Sequence, residues 1–430
     1  MSKNSHMHKQ EWYPLDLSAI VYPTLQRKDF SSVYRLSALM EEEVQPEILQ
    51  KAFDLTLPRF PTYKVAMRKG LFWRFLEPNN RPGPFVQEDV RNFCMPMSFK
   101  TKGRYLVRIY YHASRISLEV HHSLGDGTGG MHLFNTLLAV YLRLLGHDIP
   151  NKYLVLDINS NPHPEELEDA YLRYANSKFC PPRPMEKTYY VRGTKEPFFT
   201  FHVIHGNMST KEVMEVASLY KCTITEYLNS VLLYALLKKQ KEDHPFRELP
   251  VRIAMPVNLR RFFPSRTLRN FITMIYPSVD PRLGEYSFEE IITQVHHYMR
   301  YYINSKFLMG DITTNAATQR NPFIRIVPLF IKDYVVKNFY KRVQDRNSSA
   351  GLTNMGVLKV PEEMLSHIQR FDIYMGIPYS SRTNCAIISF NDILTINFTS
   401  CIKETEVEKY FFQKLVEDGI KVTIESNRNN

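Results

Sequence analysis

The sequence predicts a mixed α/β protein made of two domains that follow one another along the chain. With 430 residues, of which 44% are hydrophobic and 23% charged, the chain is long enough to bury two cores of roughly 200 residues each. Strand patterns and helix patterns alternate in both halves. Between the halves the composition turns polar and rich in proline, as in NSNPHPEELED and FCPPRPMEKTYYVRGTKEP. We therefore expect a first half at residues 1–165, a crossover linker at 166–195 and a second half at 196–430.

In the first half, one helix lies among strands. SVYRLSALM has the composition of a strand, and PEILQKAFDLTLPRFP then has a helical pattern that begins at Pro46 and ends at Pro58 and Pro61. The apolar residues of this helix fall on one face: Ile48, Leu49, Ala52 and Phe53. The remaining strands are expected in KVAMRKGLFWRFLEP and YLVRIYYHASRISLEVHH.

The second half repeats this alternation. FTFHVIHGNMS predicts a strand, and the capping-box patterns STKE from Ser209 and TITE from Thr223 predict two helix starts, the second before the apolar helix TEYLNSVLLYALLKKQ. VRIAMPVNLRRF predicts a strand that runs into a basic loop. CAIISF and ILTINFTS flank Asn391 and Asp392 as a hairpin, and ETEVEKYFFQKLVEDG predicts a final amphipathic helix.

Composition argues against several classes of protein. Lys and Arg outnumber Asp and Glu by 55 to 44, and the net charge of +11 favours an anionic partner, but the sequence has no basic arm, zinc pattern or recognition element for nucleic acid. No apolar run reaches the roughly 20 residues of a membrane helix, and MSKNSHMHKQEWY lacks a secretory segment, so we expect a cytoplasmic protein with no transmembrane segment. The five cysteines are widely spread without a CxxC pair, which predicts buried, reduced thiols rather than disulfides or a thiolate metal site.

The densest basic stretch is RIVPLFIKDYVVKNFYKRVQDR. As a helix it places one apolar ridge roughly opposite two lysines, Lys337 and Lys341. The ridge consists of Ile331, Val335, Phe339 and Val343. Such a helix can lie on a membrane or bind a partner, but the interpretation we favour is a surface helix that packs its apolar stripe on the domain.

The stretch VHHSLGDGTGG, which starts at Val120, has the strongest chemical pattern. The preceding RISLEV alternates apolar and polar residues like a strand with one buried face, and continuing that alternation turns His122 inward and His121 outward. Four glycines follow: Gly125, Gly127, Gly129 and Gly130. They allow a tight turn, positive φ and a close approach of the backbone to whatever occupies the site. MHLFNTLLAVYLRLLG then predicts a helix.

Three interpretations of this stretch imply different chemistry. We expect no metal, because adjacent strand residues point to opposite faces and neither HExxH nor a Cys/His cluster supplies a third ligand. The pair can instead be a hydrogen-bonded structural feature at a strand end. As a general base, His122 has an unperturbed pKa of about 6.5 and can accept and return a proton, with Asp126 orienting the ring or holding the turn. A nucleophilic cysteine is not expected, since nothing near Cys385 or Cys401 would lower a thiol pKa.

HHSLGDG matches the HHxxxDG motif of the chloramphenicol acetyltransferase-like superfamily, which includes condensation domains, plant BAHD acyltransferases, wax-ester synthases and alcohol acetyltransferases. LQKAFDLTLPRFP is similar to the family's first helix, VNLRR from Val257 to its basic motif, and TNMG from Thr353 to its later SN-G element. Order and spacing agree over nearly the whole chain. The sequence lacks the DFGWG motif of the plant enzymes and any carrier-protein module, so it most resembles the free-standing microbial alcohol acetyltransferases.

The resemblance implies two α/β sandwich domains of similar topology, a pseudo-dimer with the active-site tunnel between them. It makes His122 the general base and His121 a structural neighbour. It also pairs Asp126 with an arginine across the domain boundary, for which Arg260 is the best match and Arg261 the next.

Supporting roles follow from the same resemblance. Gly127 would keep the turn open. Asn258 would lie beside Arg260 in the basic motif, although Asn258 and Arg260 can also be solvated loop residues. Thr353 and Asn354 would line the substrate channel and help place the thioester or hold the oxyanion, unless they form a plain turn.

The function implied is that of a CoA-dependent acyltransferase, which moves an acetyl or short acyl group from a thioester to an alcohol rather than an amine. No cofactor is expected to stay bound, because acetyl-CoA or another acyl-CoA is a co-substrate. The other partner is a small hydroxyl- or amine-bearing acceptor. Two alternatives are an acyl-carrier protein as the donor, which a basic surface would also suit, and a catalytically silent homologue that only binds a partner.

Overall fold

The computed structural model describes residues 12–26, 30–99, 104–176, 186–197, 200, 202–243, 248–343, 347–376 and 382–428. Strands and helices alternate along this part of the chain. The helices are α1 (Tyr22–Leu25), α2 (Pro46–Thr56), α3 (Gly127–Leu144), α4 (Pro164–Leu167), α5 (Ala170–Tyr174), α6 (Thr210–Leu219), α7 (Ile224–Asp243), α8 (Phe288–Tyr302), α9 (Ser305–Arg320), α10 (Pro322–Arg325), α11 (Leu329–Val343) and α12 (Glu406–Glu417). The strands are β1 (Tyr13–Pro14), β2 (Val33–Met40), β3 (Val65–Lys69), β4 (Arg74–Pro78), β5 (Gln87–Glu88), β6 (Val107–His112), β7 (Arg115–His121), β8 (His202–Ser209), β9 (Val251–Asn258), β10 (Ile272–Ile275), β11 (Ser278–Val279), β12 (Ala350–Val357), β13 (Ile368–Met375), β14 (Thr383–Phe390), β15 (Ile393–Ser400) and β16 (Thr423–Ser426).

Each half of the chain is organised around one large sheet. The first sheet has five strands in the order β13-β2-β7-β6-β5, and α3 packs on β2 and α2. The second has eight strands in the order β10-β9-β12-β14-β15-β8-β16, with β11 paired to β9, and α7 packs beside α8 and α12. A small antiparallel sheet, β1-β4-β3, lies apart from both. The protein is therefore the two-part α/β structure that the sequence predicts.

Two hydrophobic cores underlie the two sheets, and β14 contributes to both. Cys385 and Ile387 belong to the core of the second half, whereas Ala386, Ile388 and Phe390 belong to the core of the first. Successive strand residues point to opposite faces, so a strand that lies between two cores is apolar at every position. This explains the unbroken apolar run from Cys385 to Ile388.

Local signals in the sequence correspond to the observed ends of elements. Asn391 and Asp392 have φ values of 44° and 63° and join β14 to β15, with Phe390 paired to Ile393, as expected for a two-residue hairpin. Before α7, Thr223 Oγ1 accepts from the backbone N–H of Glu226, whose carboxylate accepts from the N–H of Thr223. The predicted final helix, α12, is followed by one more strand, β16, which pairs with β8.

One strand crosses between the halves. β13 comes from the second half of the sequence but completes the first sheet, where it pairs antiparallel with β2 from Ile368 and Met40 to Met375 and Tyr34. Sheet membership therefore does not follow the order of the chain, and the expected division at residues 166–195 stays a prediction.

The expected packing of the basic helix is wrong. In α11, Ile331, Val335 and Phe339 are exposed, because they face an open cavity rather than the core of a domain. The side chains of Lys341 and Val343 lie outside what the structure describes. Among the described helices, none is both long and apolar enough to cross a membrane.

Candidate active site

A cavity of about 2340 Å³ lies between the two halves. Its lining is largely apolar, and its volume exceeds the roughly 300–1,000 Å³ of an ordinary small-molecule site. The lining includes most of the residues that the sequence singles out: His122, Asp126, Gly127, Asn258, Thr353 and Asn354. Residues far apart in the sequence therefore meet at one concave surface. His121 and Arg260 lie behind this lining.

The expected outward direction of His121 is wrong, because this side chain is fully buried. β7 is a central strand that is covered on both faces, so two polar members of its alternation, Ser117 and Glu119, are buried as well. His121 Nδ1 accepts from the N–H of Ser123 at 3.1 Å, and Nε2 lies 3.2 Å from Gln26 Oε1, which makes Nε2 the protonated nitrogen. With both nitrogens occupied, His121 has none free to accept a substrate proton.

The position of His122 is fixed by its backbone and by two aromatic rings. Its N–H donates to the Ser32 carbonyl and its carbonyl accepts from Asn270 Nδ2, both at 2.8 Å. The imidazole stacks on Tyr22 with ring centroids 4.9 Å apart and lies 4.7 Å from the ring of Tyr34. His122 thus follows the last residue of β7 and borders the cavity with little freedom to rotate.

Burial keeps the His122 ring neutral. Desolvation lowers its pKa to about 4, and the charge of Asp126 and the side chain of Asn270 only partly oppose that shift. His122 Nδ1 and Asn270 Oδ1 are both buried, and neither has a well-aligned hydrogen bond to a described residue. A neutral imidazole at a cavity wall can take up a proton at neutral pH. Burial also lowers the pKa of His121, to about 3.

Asp126 holds the turn and does not hydrogen-bond to the His122 ring. Its Oδ1 accepts from the N–H groups of Thr128 and Gly129, both at 3.1 Å, as the N-cap of α3. Its Oδ2 accepts from Phe271 N at 2.8 Å and from Arg260 Nη1 at 2.7 Å. Of the two roles left open by the sequence, the geometry therefore favours holding the turn.

Arg260 and Asn258 join the second half to that turn and are not solvated loop residues. Arg260 donates to the carbonyls of Thr267 and Arg269 as well as to Asp126 across the halves. Asn258 Oδ1 accepts from the N–H of Arg260, and its Nδ2 donates to Thr128 Oγ1 at 3.1 Å. Two side-chain hydrogen bonds thus connect the end of β9 to the start of α3. The alternative arginine, Arg261, is exposed.

The glycines serve close packing rather than positive φ, which corrects one of the expectations. Gly125, Gly127, Gly129 and Gly130 all have negative φ, and from Gly127 onward they form the first turn of α3. A Cβ on Gly129 would overlap the Leu268 carbonyl oxygen, and one on Gly127 would lie 2.9 Å from a methionine sulfur. The absence of side chains lets the helix start approach the second half.

Thr353 and Asn354 lie within β12, so the alternative of a plain turn is wrong. Both border the cavity, but the two polar atoms of Asn354 are occupied. Its Nδ2 donates to Thr225 Oγ1 at 3.0 Å, and its Oδ1 accepts from the N–H of Gly356 at 2.8 Å, where the strand register shifts. Asn354 therefore shapes the strand irregularity, which leaves the Thr353 hydroxyl as the group more available to a substrate.

The cysteines show no sign of activation. Burial raises the thiol pKa of Cys222 to about 11, raises that of Cys401, and raises that of Cys385 well above its ordinary value. Cys222 and Cys401 are only half-buried, so the expectation that the thiols are buried is wrong for these two. Cys180 lies outside the described residues.

Sequence reasoning missed three residues that contact His122: Tyr22, Tyr34 and Asn270. Tyr34 also donates from its hydroxyl to the Asp126 carbonyl at 2.8 Å. Asn270 also donates to the buried carboxylate of Asp16. None of the three lies in a recognisable motif, and only their contacts in the folded chain identify them.

Comparisons with known proteins support the fold. No family model and no curated protein matches the sequence. Polyketide synthase associated protein 5 from Mycobacterium tuberculosis matches with a TM-score of 0.61 and 14% identity, over 93% of this chain and 96% of that one. Trichothecene 15-O-acetyltransferase from Fusarium sporotrichioides matches with a TM-score of 0.59 and 12% identity, over 94% of each chain. A mutant starter condensation domain of rhizomide synthetase, in complex with C8-CoA, matches with a TM-score of 0.58 and 11% identity, over 94% of this chain and 93% of that one.

These likenesses extend over nearly the whole chain and include both an acetyltransferase and a condensation domain. The protein therefore has the fold of these solved acetyltransferase and condensation-domain structures.

Proposed function

We propose that this protein transfers an acyl group from a thioester to the hydroxyl group of an acceptor, with His122 as general base. The observation that carries the proposal is a neutral, buried imidazole, held between two tyrosine rings at the wall of a large cavity. Residues of both halves line that cavity, so two substrates can meet there.

In the proposed reaction the acceptor oxygen attacks the thioester carbonyl directly. As the O–C bond forms, the hydroxyl proton moves to His122. The C–S bond then breaks, and the leaving thiolate takes the proton back from the imidazolium. The carboxylate of Asp126 stabilises the imidazolium that forms, because its negative charge favours the protonated ring. No acyl-enzyme is needed, which agrees with the raised pKa values of the thiols.

Asp126 and Arg260 are positioning residues in this reaction. Their ion pair connects the halves on either side of the substrates, and it fixes the turn that carries His122. The side chain of Asn270 lies against the same ring. We propose that Asn270 Oδ1 accepts a hydrogen bond from the protonated Nδ1, which leaves the unprotonated Nε2 as the nitrogen that accepts the substrate proton.

Coenzyme A is the donor carrier that we propose, with an acetyl or short acyl group attached. Three exposed arginines border the cavity and make no side-chain ion pair among the described residues: Arg261, Arg300 and Arg325. Such cations can bind the phosphates of a nucleotide. A structural neighbour was solved with C8-CoA. Because acyl-CoA is made and used in the cytoplasm, we also propose a cytoplasmic location.

The cavity volume favours an apolar acceptor that is larger than a simple short-chain alcohol. A cavity of about 2340 Å³ leaves room for an acceptor of considerable size beside the pantetheine arm and a short acyl group. An amine remains the less favoured acceptor, because a protonated amine would have to lose its charge before it could enter a largely apolar site.

The test is release of free thiol from acetyl-CoA in the presence of a panel of alcohols and amines, with the products identified by mass spectrometry. We expect turnover with an apolar alcohol and its loss in His122→Ala. The matched control is Arg261→Gln, which should raise KM for acetyl-CoA and leave kcat nearly unchanged. Turnover that survives in a folded His122→Ala variant would contradict the proposed base.

The donor is tested in the same assay by comparing acetyl-CoA, acetylpantetheine and an acetylated carrier protein. If phosphate contacts matter, acetylpantetheine is the poorer substrate and KM for acetyl-CoA rises with ionic strength. Much faster transfer from the carrier protein would show that the donor is the carrier protein and not CoA. No transfer from any of the three would favour a silent homologue that only binds a partner.

A further inference from the structure

We propose that the protein docks on anionic lipid membranes through an apolar surface beside the mouth of its cavity. Six large apolar side chains there are between 50% and 77% exposed: Leu71, Trp73, Phe323, Ile326, Phe330 and Tyr334. We call this surface the apolar rim. Soluble monomers rarely expose contiguous apolar patches of this kind, and one that borders a cavity marks an interaction site.

The apolar rim is one continuous surface made by three segments: the hairpin tip, residues 323–326 in and after α10, and the first half of α11. Residues 70–73 form the tip of the hairpin between β3 and β4, and the N–H of Leu329 at the start of α11 donates to the Leu71 carbonyl at 2.8 Å. Lys332 Nζ donates to the carbonyl of Phe72 at 3.0 Å. The same Nζ donates to the carbonyl of Arg325, the last residue of α10, at 3.1 Å. The hairpin tip, α10 and α11 therefore present their exposed side chains together.

A second anchor fixes this arrangement just behind the tip. The guanidinium of Arg74 forms two hydrogen bonds with the carboxylate of Asp333, at 2.8 and 2.6 Å, and Thr24 Oγ1 donates to the same carboxylate. Both charges of the pair are largely buried. The rim is thus held in place before it meets a partner, which reduces the entropy lost on binding.

The charge around the apolar rim fits an anionic surface. Lys69, Arg325 and Lys337 are exposed within or beside it, and none makes a side-chain ion pair among the described residues. The acidic groups close to it, Asp333 and Glu77, are already paired with arginines. The whole chain carries a net charge of +11. Positive charge interspersed with exposed aromatic and aliphatic side chains is typical of proteins that lie in the interface of anionic membranes.

The tryptophan and the tyrosine in the rim fit a lipid surface as the partner. Their rings prefer the boundary between lipid head groups and acyl chains, where one edge is apolar and the other wet. The rim also adjoins the cavity. Trp73 of the rim lines the cavity, and so do Ile324 and Leu329, which are neighbours of rim residues in the chain. An apolar acceptor dissolved in the bilayer can therefore reach the cavity without crossing water.

The experiment measures binding of the full chain to vesicles of phosphatidylcholine alone and of phosphatidylcholine with about one third phosphatidylglycerol. The chain has two tryptophans, so a Trp12→Phe variant leaves Trp73 as the only tryptophan reporter. We expect cosedimentation with the anionic vesicles and a blue shift of Trp73 emission. We also expect quenching of Trp73 by brominated lipid, and weaker binding at high salt.

The decisive variant is the double substitution Phe330→Ser with Tyr334→Ser, two residues that do not line the cavity. We expect it to bind anionic vesicles at least about tenfold more weakly, because two large apolar side chains are lost. The control replaces Leu219 and Leu283 with serine; these side chains are 81% and 79% exposed and also do not line the cavity. The control should bind like the parent protein, and circular dichroism verifies that both variants are folded.

Three results would overturn the proposal: no binding of the parent protein to anionic vesicles, equal binding by the rim variant, or equal loss in the control. A dimer of the parent protein that the rim variant abolishes, without vesicle binding, would assign the surface to a second copy of the chain instead. None of these four outcomes depends on the proposed acyl transfer. The rim variant should retain thiol release with a water-soluble acceptor, so failure of the membrane proposal and failure of the proposed function remain distinguishable.

Discussion

The ion pair between Asp126 and Arg260 leads to a prediction that can be worked out quantitatively. The carboxylate of Asp126 is 3% exposed, and its Oδ2 faces two donors, the guanidinium of Arg260 and the N–H of Phe271. The amide of Asp126→Asn has only one acceptor oxygen. Either the position of Oδ2 or that of Oδ1, which caps α3, therefore loses its acceptor. Removing one partner of a buried pair costs about 3–5 kcal/mol, and a hydrogen bond to a charged group contributes about 1.5–3 kcal/mol.

We expect Asp126→Asn and Arg260→Met each to reduce kcat/KM by on the order of 10²-fold, because each displaces the turn that carries His122. The double variant should lose little more than either single variant, since the second substitution removes a group whose partner is already gone. The coupling should be about 2–3 kcal/mol, a factor of about 30–150.

The assay is thiol release at low acetyl-CoA concentration, with thermal unfolding of every variant as the measure of folding. A matched control is the pair of Arg59 and Glu166, which is also buried but does not line the cavity. Substitutions there should lower the unfolding temperature and leave kcat nearly unchanged. Strictly additive losses of activity in the cycle of Asp126 and Arg260 would refute the proposed positioning role.

Three further predictions concern the same turn. His122→Ala should lower kcat by on the order of 10²–10⁴-fold with the fold intact, whereas His121→Gln should mainly lower the unfolding temperature; equal kcat losses in two folded variants would exclude His122 as the base. Because burial lowers the pKa of His122 to about 4, the neutral base persists to that pH, so kcat/KM should stay level from about pH 8 to about 5 and fall near pH 4; an acid limb near the unperturbed value would contradict this environment. Asp126→Asn should move that limb to lower pH, since the carboxylate raises the pKa of the ring. Gly129→Ala should prevent stable folding or inactivate the protein, because the new methyl group meets the Leu268 carbonyl; a variant as stable and active as the parent would show that the contact is not essential.

Features that depend on neighbouring residues could be predicted from the sequence. The helix from Pro46 and the turn at Asn391 follow from backbone preferences and local periodicity, which act over a few residues. The pairing of Asp126 with Arg260 was reached through a resemblance between motifs, and the structure contains that ion pair. The resemblance thus located a contact between residues that are distant in the sequence.

Features that depend on distant residues could not be predicted in this way. Alternation in RISLEV cannot reveal that the polar face of β7 is also covered, with Glu119 accepting from the N–H of Cys94. For that reason His121 was expected to point outward. The rings of Tyr22 and Tyr34 meet His122 only after three separate segments come together. A helical ridge such as that of α11 likewise does not show whether a core or an open cavity lies beneath it.

The strand that crosses between the halves constrains how the protein can be synthesised. β13 is the neighbour of β2 in the first sheet, and about 330 residues separate the two strands along the chain. At roughly 5–20 residues per second, a ribosome needs on the order of 15–65 s to produce the second strand after the first. Until then the edge of β2 that pairs with β13 has no partner, and an unpaired edge readily associates with other chains. During that interval the nascent chain exposes this edge, and we expect a fragment ending at residue 165 to aggregate rather than fold.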